Sequence, residues 1–138
     1  MRLGNPNLAV DTKAENEGKW VECPVVWWFD PSLPMRVLIR GTANQDFQAA
    51  IRSKTKDMSS TDQFKNAFEI SAELVADYLL IGWENVFAED GSPVQYSKQV
   101  AREIAYNRDN RRFVDFIYSS ASNLNTFNAE ARKDAEKN

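Results

Sequence analysis

The spacing of apolar and polar positions predicts a β-hairpin near the start of the chain. A run rich in valine and tryptophan covers residues 19–29, and a second β-like run covers residues 35–40. The short segment between them contains two prolines and an aspartate, which are residues that favour turns. We therefore predict two strands joined by a loop of about five residues. Pro24 interrupts the first run and indicates an edge position or a bulge.

Four later stretches have apolar residues at helical spacing. The strongest pattern runs over residues 61–81, where apolar side chains recur every three or four positions, and Gly82 marks its predicted end. A shorter helix is predicted from the breaker and cap at Gly41–Thr42, a third is capped by Ser97, and a fourth begins after Asn110. Together these patterns predict a mostly helical α+β fold, with an N-terminal β-hairpin packed on about four α-helices.

Both ends of the chain have few side chains that could be buried. Residues 1–17 contain Leu3, Leu8 and Val10 among polar neighbours, a balance that rarely covers the entropy cost of ordering. After Asn128, acidic and basic residues alternate with no apolar residue larger than alanine. We therefore predict a flexible arm over residues 1–17, a single α+β domain over 18–128 and a frayed polar tail over 129–138.

Length and charge narrow the classes of function. The 138 residues, 43% of them hydrophobic and 27% charged, are typical of one globular domain. A net charge of −3 is too balanced for the positive field that non-specific nucleic-acid binding needs. The apolar run Val25–Phe29 is far shorter than the roughly 20 residues that span a bilayer, and the start lacks the apolar core of a signal peptide. These features predict a protein of the cell interior that binds neither nucleic acid nor membrane.

Candidate chemistry is sparse. The chain has no histidine, which removes Ser-His-Asp and Cys-His nucleophile systems and histidine-ligated zinc. Its single cysteine, Cys23, is predicted to be a small buried hydrophobe. Glu84, Glu89 and Asp90 lack the spacing of a calcium loop, and the five glycines are scattered singly instead of forming a phosphate cradle. We predict a protein that is not an enzyme and has no metal or cofactor.

The aromatic segment of the first run is the main candidate for binding. Strand alternation would place Trp27 and Phe29 on one face and Trp28 on the other, leaving a large aromatic side chain outside the core. This arrangement suits a protein-binding surface, although aromatics beside arginines could also stack single-stranded bases. The last predicted helix adds Leu124 and Phe127, since a terminal helix can dock on another chain. These five residues are the predicted partner contacts.

Several short motifs carry a resemblance to a known family. They include Trp83–Val86, the acidic turn Glu89–Gly91, Pro93–Val94 and the helix entry Tyr96–Ser97, with further support from Glu17–Val21. In these motifs, over roughly residues 17 to 130, the chain resembles the small tail assembly chaperones of long-tailed, siphovirus-like bacteriophages.

The resemblance implies a function without chemistry. Such proteins coat the hydrophobic tape-measure protein, help recruit the tail-tube protein in the host cytoplasm, and are absent from the mature virion. A longer form made by frameshifting and a homo-oligomer remain open. The alternatives are a tail-completion or connector protein that stays in the virion and, less favoured, a module that binds single-stranded nucleic acid.

Overall fold

The computed structural model describes residues 1–129 and confirms the predicted α+β, mostly helical fold. Its strands are β1 (Lys19–Glu22), β2 (Arg36–Ile39) and β3 (Leu80–Glu84). Its α-helices are α1 (Thr12–Glu17), α2 (Gln45–Thr55), α3 (Ser60–Lys65), α4 (Ala67–Leu74), α5 (Lys98–Tyr106) and α6 (Arg111–Ser122). A π-helical segment, Val75–Leu79, continues α4, and 3₁₀ turns occupy Pro6–Leu8, Val25–Trp27, Arg108–Asn110 and Leu124–Phe127.

The three strands form an antiparallel sheet in the order β1-β2-β3. Side chains alternate across it, so Val37 and Ile39 of β2 face the helices and are fully buried. The opposite face presents Trp20, which pairs with Leu38 and is 47% exposed. Helix α6 packs on β2, and α4 with its π-helical extension contacts α2, α5 and α6, which places the core between the sheet and the helices.

The predicted hairpin is present as β1 and β2, but its connection is longer than predicted. The connection comprises residues 23–35, because β1 ends at Glu22. Pro24 has no backbone N–H to give to a strand ladder, and its carbonyl oxygen instead accepts from Trp27 N at 2.9 Å in a 3₁₀ turn. The prediction that residues 27–29 alternate between strand faces is therefore wrong.

The predicted continuous helix over residues 61–81 is also wrong in detail. It breaks at Asn66, whose φ of −103° and ψ of 16° separate α3 from α4. It ends at Leu79, and Leu80–Glu84 then forms the third strand, with Gly82 opposite Leu38. The apolar run from Leu79 onwards has no polar face to expose, so its burial beside β2 overrides the helical pattern.

Capping side chains set the starts of the other helices. Ser97 Oγ accepts from Val100 N at 3.1 Å, which confirms the predicted start of α5. For α2 the cap is Asn44, not Thr42. Asn44 is 3% exposed, its Oδ1 accepts from Phe47 N at 2.8 Å, and its Nδ2 donates to the carbonyl oxygen of Gly41 at 2.8 Å. Burial is tolerated because the amide is satisfied on both sides.

The structure of the N-terminal segment differs from the predicted flexible arm. Asp11 caps α1 through a 3.0 Å bond from Ala14 N, and its own N–H donates to the carbonyl oxygen of Phe127 at 2.6 Å. Val10 forms a β-bridge with Asn128. Residues 10–17 are thus ordered by the other end of the described chain, a long-range contact that local composition cannot reveal. The predicted tail over 129–138 lies outside the described residues except for Ala129.

Candidate functional site: an apolar groove

The first wall of the groove is the connection between β1 and β2, here called the strap (residues 23–35). Its 3₁₀ turn directs Trp27 inward, where the indole meets the Phe116 ring edge-on at 5.4 Å between centroids. Trp28 Nε1 donates to the carbonyl oxygen of Cys23 at 3.0 Å, which closes the turn. Val25 and Val26 point outward and are 67% and 88% exposed. The strap therefore has apolar side chains on both of its sides.

The second wall is a small hairpin after β3, here called the arm (residues 86–94). Val94 N donates to the carbonyl oxygen of Val86 at 2.8 Å, and Ala88 N donates to that of Ser92 at 2.9 Å. The base of the arm is attached to the core by Trp83, whose Nε1 donates to the carbonyl oxygen of Val94 at 2.7 Å. The arm is thus a hydrogen-bonded element and not an irregular loop.

Strap and arm meet at their aromatic side chains. Phe29 of the strap stacks on Phe87 of the arm with ring centroids 4.9 Å apart. Gly91, at φ +86°, turns the arm, and a Cβ there would lie 3.2 Å from Phe29 Cζ. Phe29 remains 58% exposed, so one of its faces contacts the arm while the rest is open to solvent.

Between strap and arm lies a groove of about 720 Å³, closed underneath by α5 and by the start of α6. Its volume falls within the range that is usual for ligand and peptide sites. Most of its lining is apolar and comes from all four elements: Trp27, Phe29, Met35, Val86, Phe87, Ala88, Val94, Val100, Ile104 and Phe113. Such a surface can hold apolar side chains of a partner out of water.

Charged groups lie at the margins of the groove. Glu89 belongs to the arm, Asp109 comes from the segment that joins α5 to α6, and Arg112 lies near the start of α6. All three are exposed. Next to Glu89, Asp90 accepts from both the hydroxyl and the backbone N–H of Ser92, and these hydrogen bonds hold the pKa of the Asp90 carboxyl below its ordinary value.

The structure brings together only part of the predicted contact set. Trp27 and Phe29 line the groove, and Trp28 lies behind them as a half-buried support for the strap. Leu124 is 67% exposed but follows the C-terminal end of α6. Since the groove is at the other end of that twelve-residue helix, roughly 18 Å of helix separates the two.

The prediction that Phe127 contacts a partner is wrong. It is 1% exposed, and its ring lies against Gly41, where a Cβ would stand 3.1 Å from Phe127 Cε2. The turn Leu124–Phe127 packs on α1, and this contact buries the ring. Phe127 is therefore a core residue and does not offer a surface to a partner.

The predicted partner contacts include no residue of the arm and no residue of α5, although both elements line the groove. The available signals were the Asp90–Gly91 turn and the apolar residues that flank it, but nothing local indicates that this turn faces the strap.

Burial strongly raises the pKa of one thiol near the groove. Cys23 is 3% exposed, which confirms its predicted burial, and desolvation raises the pKa of its thiol to about 12.

No group of three or more His, Cys, Asp or Glu side chains within residues 1–129 is placed to hold a metal ion. Each helix in this part of the chain is too short or too polar to cross a membrane.

A family model described as YdaY prophage protein matches residues 40–138. The matched segment includes the arm, α5 and α6, but the whole strap lies before its first residue. No curated protein matches the chain, and no solved structure matches it.

Proposed function

We propose that the chain, which belongs to the YdaY prophage protein family, is a non-catalytic tail assembly chaperone of phage origin. It acts in the host cytoplasm, where it keeps the tape-measure protein soluble, and it is absent from the finished virion. The single observation that carries this proposal is the apolar groove, which stands open beside the exposed strap residues Val25 and Val26. The phage origin and the motifs around Trp83–Ser97 supply the context.

The proposed mechanism is reversible burial. A tape-measure protein is long and apolar, so the apolar faces of its helices must be shielded from water until they assemble. An amphipathic helix can place its apolar stripe between strap and arm and leave its polar face in water. Each buried CH₂ group contributes about 0.8 kcal/mol, so a few side chains suffice for binding that is strong enough to solubilise and weak enough to release.

A second surface is available for recruiting the tail-tube protein. Leu124 is exposed and lies at the opposite end of α6 from the groove. We assign this end to the tail-tube contact, because a chaperone that holds the tape-measure protein in its groove needs a separate site for a second partner.

Co-expression with the tape-measure protein of the same prophage tests the proposal. The soluble fraction of the tape-measure protein should rise, and the two proteins should copurify. Phe29→Ala removes an exposed groove side chain and should reduce copurification. Phe64→Ala is the matched control, because Phe64 is 84% exposed and lies outside the groove.

Two results would contradict the proposal. One is a tape-measure protein that stays insoluble and does not copurify with the wild-type chain. The other is mass spectrometry of purified virions that finds this protein at the stoichiometry of a tail component, which would favour the tail-completion or connector alternative.

A further inference from the structure

The charged groups around the groove are unequal in sign. Glu89 stands on the arm and Asp109 at the turn between α5 and α6, with Arg112 of α6 as the cation among the lining residues. Six ion pairs join side chains within residues 1–129, and neither Glu89 nor Asp109 takes part in any of them. Asp90 adds a further carboxylate beside Glu89. A chain bound in the groove therefore meets carboxylates from two separate elements of the lining, the arm and the α5–α6 turn.

From this charge distribution we infer that the groove selects an amphipathic helix that carries lysine or arginine beside its apolar stripe. The inference rests on the proposed function and narrows the partner segment by its chemistry. A helix with acidic flanks would place like charges against Glu89 and Asp109 as water is excluded, which costs binding free energy. A cationic flank can pair with Glu89 and Asp109, neither of which forms an ion pair with another side chain among residues 1–129. The net charge of −3 steers the same class of segment towards the protein.

Two designed peptides provide a direct test. Both have the same length and the same leucine stripe at helical spacing, but one has lysines on its two flanks and the other has glutamates. Fluorescence anisotropy of the labelled peptides, titrated with the full chain, gives both dissociation constants. We expect the lysine peptide to bind about three- to tenfold more tightly at low salt, since exposed ion pairs contribute modestly, and the difference should shrink at high salt.

Charge-changing variants test which residues cause the preference for the lysine peptide. The double variant Glu89→Lys with Asp109→Lys should abolish or reverse it, whereas Arg112→Glu should increase it. The double variant Asp57→Lys with Glu103→Lys is the control for net charge, because both residues are exposed acids that do not line the groove. Phe29→Ala should weaken both peptides, and Phe64→Ala should weaken neither.

The outcomes separate the two claims. Equal affinities for the two peptides would overturn the charge selection and leave the proposed function standing. The same holds for a preference that Glu89→Lys with Asp109→Lys changes no more than Asp57→Lys with Glu103→Lys does. If neither peptide binds, the groove is not a helix site, and the proposed function loses its main support as well.

Discussion

Asn85 donates a hydrogen bond from Nδ2 to the carbonyl oxygen of Pro34 at 2.7 Å, and this bond joins the two walls of the groove. The two residues are 51 positions apart in the sequence. Asn85 also has a φ of 59°, a left-handed conformation that asparagine adopts more readily than most residues. One side chain thus turns the chain out of β3 into the arm and ties the arm to the strap.

Substitution of Asn85 should separate these two roles. Asn85→Ala loses the hydrogen bond and places an alanine at positive φ, so we expect the free energy of unfolding to fall by about 2 kcal/mol. Asn85→Gly loses the bond but accepts the conformation, so a loss of about 1 kcal/mol is expected. Urea denaturation measures both. Equal losses for the two variants would show that the left-handed conformation costs nothing here.

Gly18 is required by both its conformation and its surroundings. It has a φ of 113°, and a Cβ there would stand 2.7 Å from Ile81 Cδ1 and 3.3 Å from Leu38 Cδ1. We expect Gly18→Ala to lower the free energy of unfolding by about 2 kcal/mol or more, because strain and overpacking add. Gly4→Ala is the control, since nothing lies within 4 Å of its added Cβ. A thermal denaturation midpoint for Gly18→Ala that equals the midpoint for Gly4→Ala would refute the expectation.

Phe127 and Leu124 should respond oppositely to truncation although they lie in the same 3₁₀ turn. Phe127→Ala empties a buried site and should cost about 3–5 kcal/mol of unfolding free energy. Leu124→Ala changes an exposed side chain and should stay within about 0.5 kcal/mol of the wild type. Chemical denaturation of both variants checks the burial directly. A stable Phe127→Ala protein would mean that the chain end does not pack on α1 in solution.

The thiol of Cys23 should be protected in the folded protein. Its pKa is raised from 9.0 to about 12 by burial, so the folded state keeps the thiol neutral where the unfolded state ionises. The contribution to stability is therefore complete below pH 9 and is lost progressively as the pH rises towards 12. Comparison of the urea midpoint with that of Cys23→Val across this range isolates the effect, because other alkaline titrations are common to both proteins.

Reactivity gives an independent measurement of the same thiol. A thiol reagent should label Cys23 slowly without denaturant and rapidly in urea, since the thiolate is the reactive form and burial excludes the reagent. Fast labelling of the native protein would show that the strap opens readily, because Cys23 is the first residue of the strap.

Much of the fold follows from short-range patterns. Three features depend on only a few consecutive residues, and each was predicted correctly: the period-two run of β2, the helical spacing of α5 and the Ser97 cap. The sequence alone also shows that the chain has no histidine, which excludes histidine-dependent catalysis and histidine-ligated zinc. These features depend on backbone geometry and side-chain type, both of which are local.

The groove and the burial of individual side chains depend on contacts between distant segments. Leu124 and Phe127 looked equivalent in the spacing pattern, yet α1 and Gly41 bury one and leave the other in water. Leu80–Glu84 fits the end of a helix equally well, until β2 offers it hydrogen-bonding partners. Spacing shows which side chains share a face, whereas the packing of the whole chain decides which of those faces is covered, because burial is a property of neighbours that lie far away in the sequence.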